Sequence, residues 1–171
     1  MRGLDKYISD QLNVFNAKLW PALASAKKGY YGRAYKHLKN DVRLAFVYDK
    51  DNEYQDVTFN DNLSASLFFD IGDNENGNYP NFTAEVSIVV MVNLYDIYPT
   101  AVYRAIEDVH NDVLSLIKKC GVFKITGVTT GENVFGNIDT TLLKQYDMQP
   151  FHVFRVNCQA IGYNKNCNYT N

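Results

Sequence analysis

The feature that most constrains this chain is a change of hydrophobic period around residues 94–99. From 82 to 94 the apolar residues alternate: Phe82, Ala84, Val86, Ile88, Val90, Val92 and Leu94 fall on one side of an extended chain. Beyond Pro99 the period becomes helical, with Val102, Ala105, Ile106, Val109, Val113, Leu116, Ile117 and Cys120 on one stripe. Pro99 suits a first helical position, Glu107 and Asp108 precede Lys118 and Lys119 in the sense the helix dipole favours, and Gly121 stands where a left-handed cap belongs. The expectation is an α+β fold: an antiparallel sheet with a long amphipathic helix, 99–120, packed on one face, plus an N-terminal helix.

The second side of the 82–94 strand carries a further signal. Thr83, Glu85 and Ser87 give way to Val89 and Met91, so the strand is half-solvated at its start and apolar on both sides near its end. One helix covers one face. Val89 and Met91 are therefore expected beneath the N-terminal helix or against a neighbouring subunit.

The rest of the chain is consistent with one domain over 1–171. Leu4, Ile8, Leu12, Phe15 and Leu19 mark the N-terminal helix, which Trp20-Pro21 ends. Residues 22–42 are basic and tyrosine-rich, and Gly29 and Gly32 suggest a loop or an extended arm. Alternation resumes at Leu44, Phe46 and Tyr48, and a turn at 49–52 returns a hairpin strand over 54–59. A strand is expected at 63–71, a polar loop at 72–80, a strand at 122–128, a flexible glycine-bearing loop through Asn137, a helical turn at 139–146 and a last strand over 151–163. Residues 164–171 form a polar tail.

Net charge is only −2, but it is segregated. Residues 1–50 carry ten Lys/Arg and four Asp/Glu, and residues 51–100 carry nine acids with no Lys or Arg. Such a field is met either within the chain, the basic segment lying over the acidic hairpins, or between identical subunits joined head to tail. The candidate interface residues are Val89 and Met91 with Lys27, Lys28, Tyr30, Tyr31, Arg33 and Tyr35 of the basic segment and Asp73 and Glu75 of the acidic loop. The thirteen tyrosines fit surfaces that meet other surfaces.

No arrangement in the sequence names a reaction. His37, His110 and His152 lack metal-site spacing, and His110 is expected in solvent on the polar side of its helix. The stretch Gly127–Gly136 lacks the Gly-Lys-Ser/Thr ending of a phosphate loop. Cys158 and His152 sit six residues apart on one strand face, about 20 Å at strand rise, too far for a nucleophile and its base. The acids between 49 and 75 fall mostly in expected turns. Neither a catalytic residue, a cofactor nor a metal is expected. No run approaches the about 18 apolar residues of a membrane span, and the N-terminus leads into an amphipathic pattern, so the chain is expected in the cytoplasm where it is made.

The order of elements—helix, hairpin strands, the 82–94 strand running into the 99–120 helix, then closing strands ending at 151–163—resembles the tail-terminator and tail-completion family of tailed bacteriophages. The Tyr- and Asn-rich composition also resembles proteins of phages with AT-rich genomes, including those of gut Bacteroides. The resemblance implies a structural virion protein without catalysis, forming a homo-oligomeric ring at the neck or tail as tail terminator or head–tail connector. It implies adjacent neck or tail proteins as partners, and electrostatic contact with DNA in the lumen. The competing expectations are a small ligand-binding or enzymatic α+β domain, and a host-interaction protein that uses residues 22–42.

Overall fold

A computed structural model describes residues 3–39, 42–48, 54–57, 62–76, 82–136, 138 and 148–163. Among these residues the chain forms a five-stranded sheet, a three-stranded sheet and three α-helices. In chain order they are α1 (Leu4–Lys18), β1 (Lys28–Arg33), β2 (Tyr35–Lys39), β3 (Val42–Tyr48), β4 (Tyr54–Asp56), β5 (Ala65–Asn76), β6 (Phe82–Asn93), α2 (Leu94–Ile97), α3 (Ile106–Cys120), β7 (Phe123–Thr130) and β8 (Phe151–Tyr163). The larger sheet runs β1-β5-β6-β8-β7, antiparallel except for the β1–β5 pair. The smaller runs β2-β3-β4, antiparallel throughout.

β6 sits at the centre of the larger sheet, and its alternation decides both faces. Ala84, Val86, Ile88, Val90 and Val92 join Leu67 and Phe69 of β5 and Phe154, Val156 and Cys158 of β8 in one buried cluster. Leu4, Ile8 and Phe15 of α1 and Val109, Val113 and Ile117 of α3 complete it. The stripe on α1 departs from the expected one at a single position: Gln11 is fully buried while Leu12 is only partly so.

The helix expected over 99–120 is not continuous. β6 passes directly into the single turn α2, and residues 98–105 are irregular before α3 begins at Ile106. Val102 is fully exposed. Two side chains fasten the connection: the Tyr98 hydroxyl donates to Asp112 Oδ2 at 2.5 Å, and Arg104 Nη2 donates to the Phe151 carbonyl at 3.2 Å. The same Asp112 oxygen accepts Trp20 Nε1 at 2.8 Å, tying the end of α1 to α3. At its other end α3 stops as expected, with Gly121 left-handed at φ 73° and its N–H on the Ile117 carbonyl.

Residues 22–42 are not a free arm. Lys28–Arg33 is an edge strand of the larger sheet, parallel to β5, and Tyr35–Lys39 belongs to the smaller sheet. Parallel neighbours need a long crossover, and here β2, β3 and β4 supply it. Gly29 is a packing requirement rather than a sign of flexibility: a Cβ there would collide with the side chains of Leu63 and Tyr31. The expected loop at 72–80 also begins later, because β5 runs on to Asn76 beyond a register irregularity and pairs Glu75 with Ala84. Polar side chains do not prevent a strand when a neighbouring strand supplies the ladder. The helical turn expected at 139–146 and the polar tail at 164–171 lie outside the described residues. Among the described residues no helix is long and apolar enough to cross a membrane.

Candidate functional site

The second face of the larger sheet is covered from within the chain. Val89 and Met91, expected under the N-terminal helix or at a subunit boundary, are buried with Phe68 and Val153 beneath Ala45 and Val47 of β3, Ala34, Val57, Val134, Phe135 and Ile138. The smaller sheet is thus a third layer. Its inner face accounts for the apolar end of β6 without a neighbour, and that expectation is corrected accordingly.

Its outer face does the opposite. The register pairs Tyr35 with Phe46 and Tyr48 with Tyr54, which sets these four on the side away from Ala45 and Val47. Tyr35, Tyr48 and Tyr54 are 49%, 56% and 62% exposed. Tyr54 meets both other tyrosines edge to face, with ring centroids 6.5 Å from Tyr35 and 5.8 Å from Tyr48. The Arg33 guanidinium lies 5.4 Å from the Tyr35 ring centroid. Edge-to-face packing holds the rings in fixed positions, so this is a preformed aromatic surface with a cation at its margin.

Of the other residues expected at an interface, the structure gathers only Arg33 and Tyr35 here. Tyr30 packs against the helix-side core with its hydroxyl 3.4 Å from the Leu19 carbonyl, and burial raises its pKa. Tyr31 packs against the opposite core. Lys27 Nζ donates to the Asn62 carbonyl and Lys28 Nζ to the Leu19 carbonyl, each at 3.1 Å. Arg33 also lies 3.8 Å from Asp5. Asp73 and Glu75 stand in β5, and their side chains lie outside the described residues.

Two polar groupings escape sequence reasoning because their members come from distant segments. On the helix side His110 and His152 bring their Nε2 atoms to 2.9 Å, both rings beside Phe154. His110 is therefore not the solvated residue expected. Burial, then the neighbouring His152, lowers its pKa, while Glu107 opposes the shift. On the other side Asp70, counted in the sequence among turn-rich acids, is a buried strand residue 3.1 Å from Arg155 Nη2. Arg155 Nε donates to Asn157 Oδ1, which also accepts Ser87 Oγ, while Asn157 Nδ2 donates to Thr129 Oγ1. Arg155 Nη1 also donates to the Val134 carbonyl at 3.4 Å, so the row ties the sheet to the segment that follows β7.

The two cysteines among the described residues, Cys120 and Cys158, carry no reactive setting. Burial pushes the Cys158 thiol up to about 12, and burial also raises that of Cys120, so neither forms a ready thiolate. Among the described residues no three His, Cys, Asp or Glu side chains converge as metal ligands would. The arrangement with the clearest chemical capacity is the aromatic face of β2–β4, which can stack and pack against a partner. No protein-family model matches the chain, and no curated protein matches it at significant similarity.

Proposed function

We propose that this chain is a structural virion subunit that assembles with copies of itself into a ring at the neck or tail of a tailed phage, as tail terminator or head–tail connector, and performs no catalysis. The observation that carries the reading is the outer aromatic face of the smaller sheet: three exposed, mutually packed tyrosines on a layer whose inner side is already buried. Tyrosines of this kind are enriched where proteins meet. In this reading α1 and α3 back the larger sheet as an inner support, and the smaller sheet is the part offered to neighbours, which include adjacent neck or tail proteins. The segregated charge adds a field suited to subunit contacts and to DNA passing through a lumen.

An enzymatic or ligand-binding role draws less support. The buried Asp70 carboxylate that could serve it is held by the Arg155 guanidinium at 3.1 Å.

The test is the mass of the purified full-length protein by native mass spectrometry, with negative-stain imaging of the same sample. A closed ring of identical subunits, together with peptides of this chain in purified particles, is the expected result. A protein that stays monomeric at every concentration and is missing from particles overturns the proposal.

A further inference from the structure

His110 and His152 lie 42 residues apart in the chain and meet across two elements. His110 stands on the second turn of α3, and His152 is the second residue of β8, paired with Val92 of the central strand. Their Nε2 atoms are 2.9 Å apart and their ring centres 5.1 Å. Phe154 lies beside both, 4.3 Å from the His110 ring centre and 5.7 Å from that of His152. His152 is buried and His110 half-buried, so the pair has one sheltered member and one in contact with water.

Both backbones are fixed. β8 pairs with β6 from Phe151 onward. α3 is anchored through Asp112, two residues beyond His110, which accepts the Tyr98 hydroxyl and Trp20 Nε1. Two ligands held by different rigid elements need little reorganisation to act together.

Neutral imidazoles at this distance share one hydrogen bond: one Nε2 donates and the other offers its lone pair. Imidazole nitrogen is also the commonest protein ligand of metal ions. Zinc bonds it at about 2.0–2.1 Å, which puts the ion about 3.2 Å from each ring centre. Ring centres 5.1 Å apart then set an angle of about 105° at the ion, close to tetrahedral. The rings need only turn in place, so that both Nε2 atoms aim at the ion instead of at each other. The donor ring's proton moves from Nε2 to Nδ1, and the neutral pair neither gains nor loses a proton. The nearby charges are mixed. Glu107, one turn earlier on α3, acts on His110, and the Arg104 guanidinium sits on the carbonyl of Phe151, next to His152. The two imidazoles, and not the surrounding field, therefore carry the affinity.

We propose that His110 and His152 form a binding site for a divalent transition ion of the zinc type, with water in its remaining positions. Bound there, the ion ties the start of α3 to the end of the larger sheet. The site is independent of the assembly reading, since neither histidine belongs to the aromatic face.

Zinc titration of the full-length, tag-free protein tests this, after a chelator has been applied and dialysed away. Calorimetry is run on the wild type, His110→Gln and His37→Gln, with circular dichroism to check folding, and nitrogen-15 NMR follows the imidazoles of the wild type. The expected result is one zinc per chain, the Nε2 resonances of His110 and His152 shifting together, loss of binding in His110→Gln and unchanged binding in His37→Gln. If His110→Gln does not fold, the wild-type NMR titration decides. A wild-type protein that takes up no zinc overturns the proposal. So does binding that survives His110→Gln, or that leaves either Nε2 resonance where it was.

Discussion

The two faces of the larger sheet solve the same problem with different materials. On the helix side, β6 and β8 present an apolar surface to α1 and α3, and the polar inclusions are Gln11 and the His110–His152 pair. On the opposite side the apolar patch around Phe68, Val89, Met91 and Val153 is smaller and borders the Asp70–Arg155–Asn157 row. The first face is closed by helices whose own periodicity demands burial. The second is closed by a three-stranded crossover that spends its inner side on the sheet and keeps its aromatic side outward. A layer recruited in this way covers a core and displays a surface at once.

Adjacent residues on β5 give the sharpest comparison, since Phe68 and Phe69 are both fully buried but on opposite faces. Phe69→Ala is expected to cost about 3–5 kcal/mol in urea denaturation followed by Trp20 fluorescence. Phe68→Ala should cost a similar amount if the second face is packed to the same density. A loss below about 1 kcal/mol would mean that the third layer is loose, and would break the equivalence. Next in size is the ion pair. Arg155→Ala removes the guanidinium from the buried Asp70 carboxylate and should cost about 3 kcal/mol. Replacing both, with Asp70→Leu and Arg155→Met, should recover a substantial part, because the desolvation of two charges disappears with them. If the double variant is worse than the single, the pair contributes more than charge neutralisation.

A smaller effect of opposite sign is expected on the helix side. Gln11 is fully buried, makes one long contact from Nε2 to the Leu116 carbonyl at 3.5 Å, and its Oε1 has no hydrogen-bond partner among the described residues. Gln11→Met keeps the length and removes the buried oxygen, so stability should rise by about 1 kcal/mol.

The last comparison is between pH values. A lowered His110 pKa means that the unfolded chain binds more protons than the native one in mild acid. Stability is therefore held above the ordinary histidine value of about 6.5 and lost as pH falls through it toward the native value. The titratable groups that act on this ring are His152 from β8 and Glu107 from the first turn of α3. Denaturation midpoints at pH 7.5 and 5.5, set as buffer conditions of about these values, should differ less in His110→Leu than in the wild type. An unchanged difference would assign the acid sensitivity elsewhere.

Local pattern carried much of the fold. The α1 stripe, the alternation of β6 and β8, the hairpin of β3 and β4 and the Gly121 cap are all legible because each depends on residues a few positions apart. Where the reading failed, the deciding contact came from far away. The break at 98–105 is held by Asp112 and Phe151, and the burial of Gly29 by Leu63. The strand character of 72–76 depends on β6. The candidate site was legible only in its composition: basic residues and tyrosines around 27–35 could be named, but not which of them face out. Tyr30 and Tyr31 are neighbours in sequence and pack into opposite cores, while Tyr35 joins Tyr48 and Tyr54 through strand register.

By itself, then, the sequence determined the mixed helix and strand content and the two apolar sides of the 82–94 strand, since periodicity is a property of consecutive residues. Only the tertiary structure decided what covers each side. Pairing β1 with β5 swings β2, β3 and β4 across the sheet, and that one long-range choice buries Val89 and Met91 and turns the tyrosines outward. The contacts between His110 and His152, and between Asp70 and Arg155, likewise arise from strand and layer placement, to which no local periodicity is sensitive.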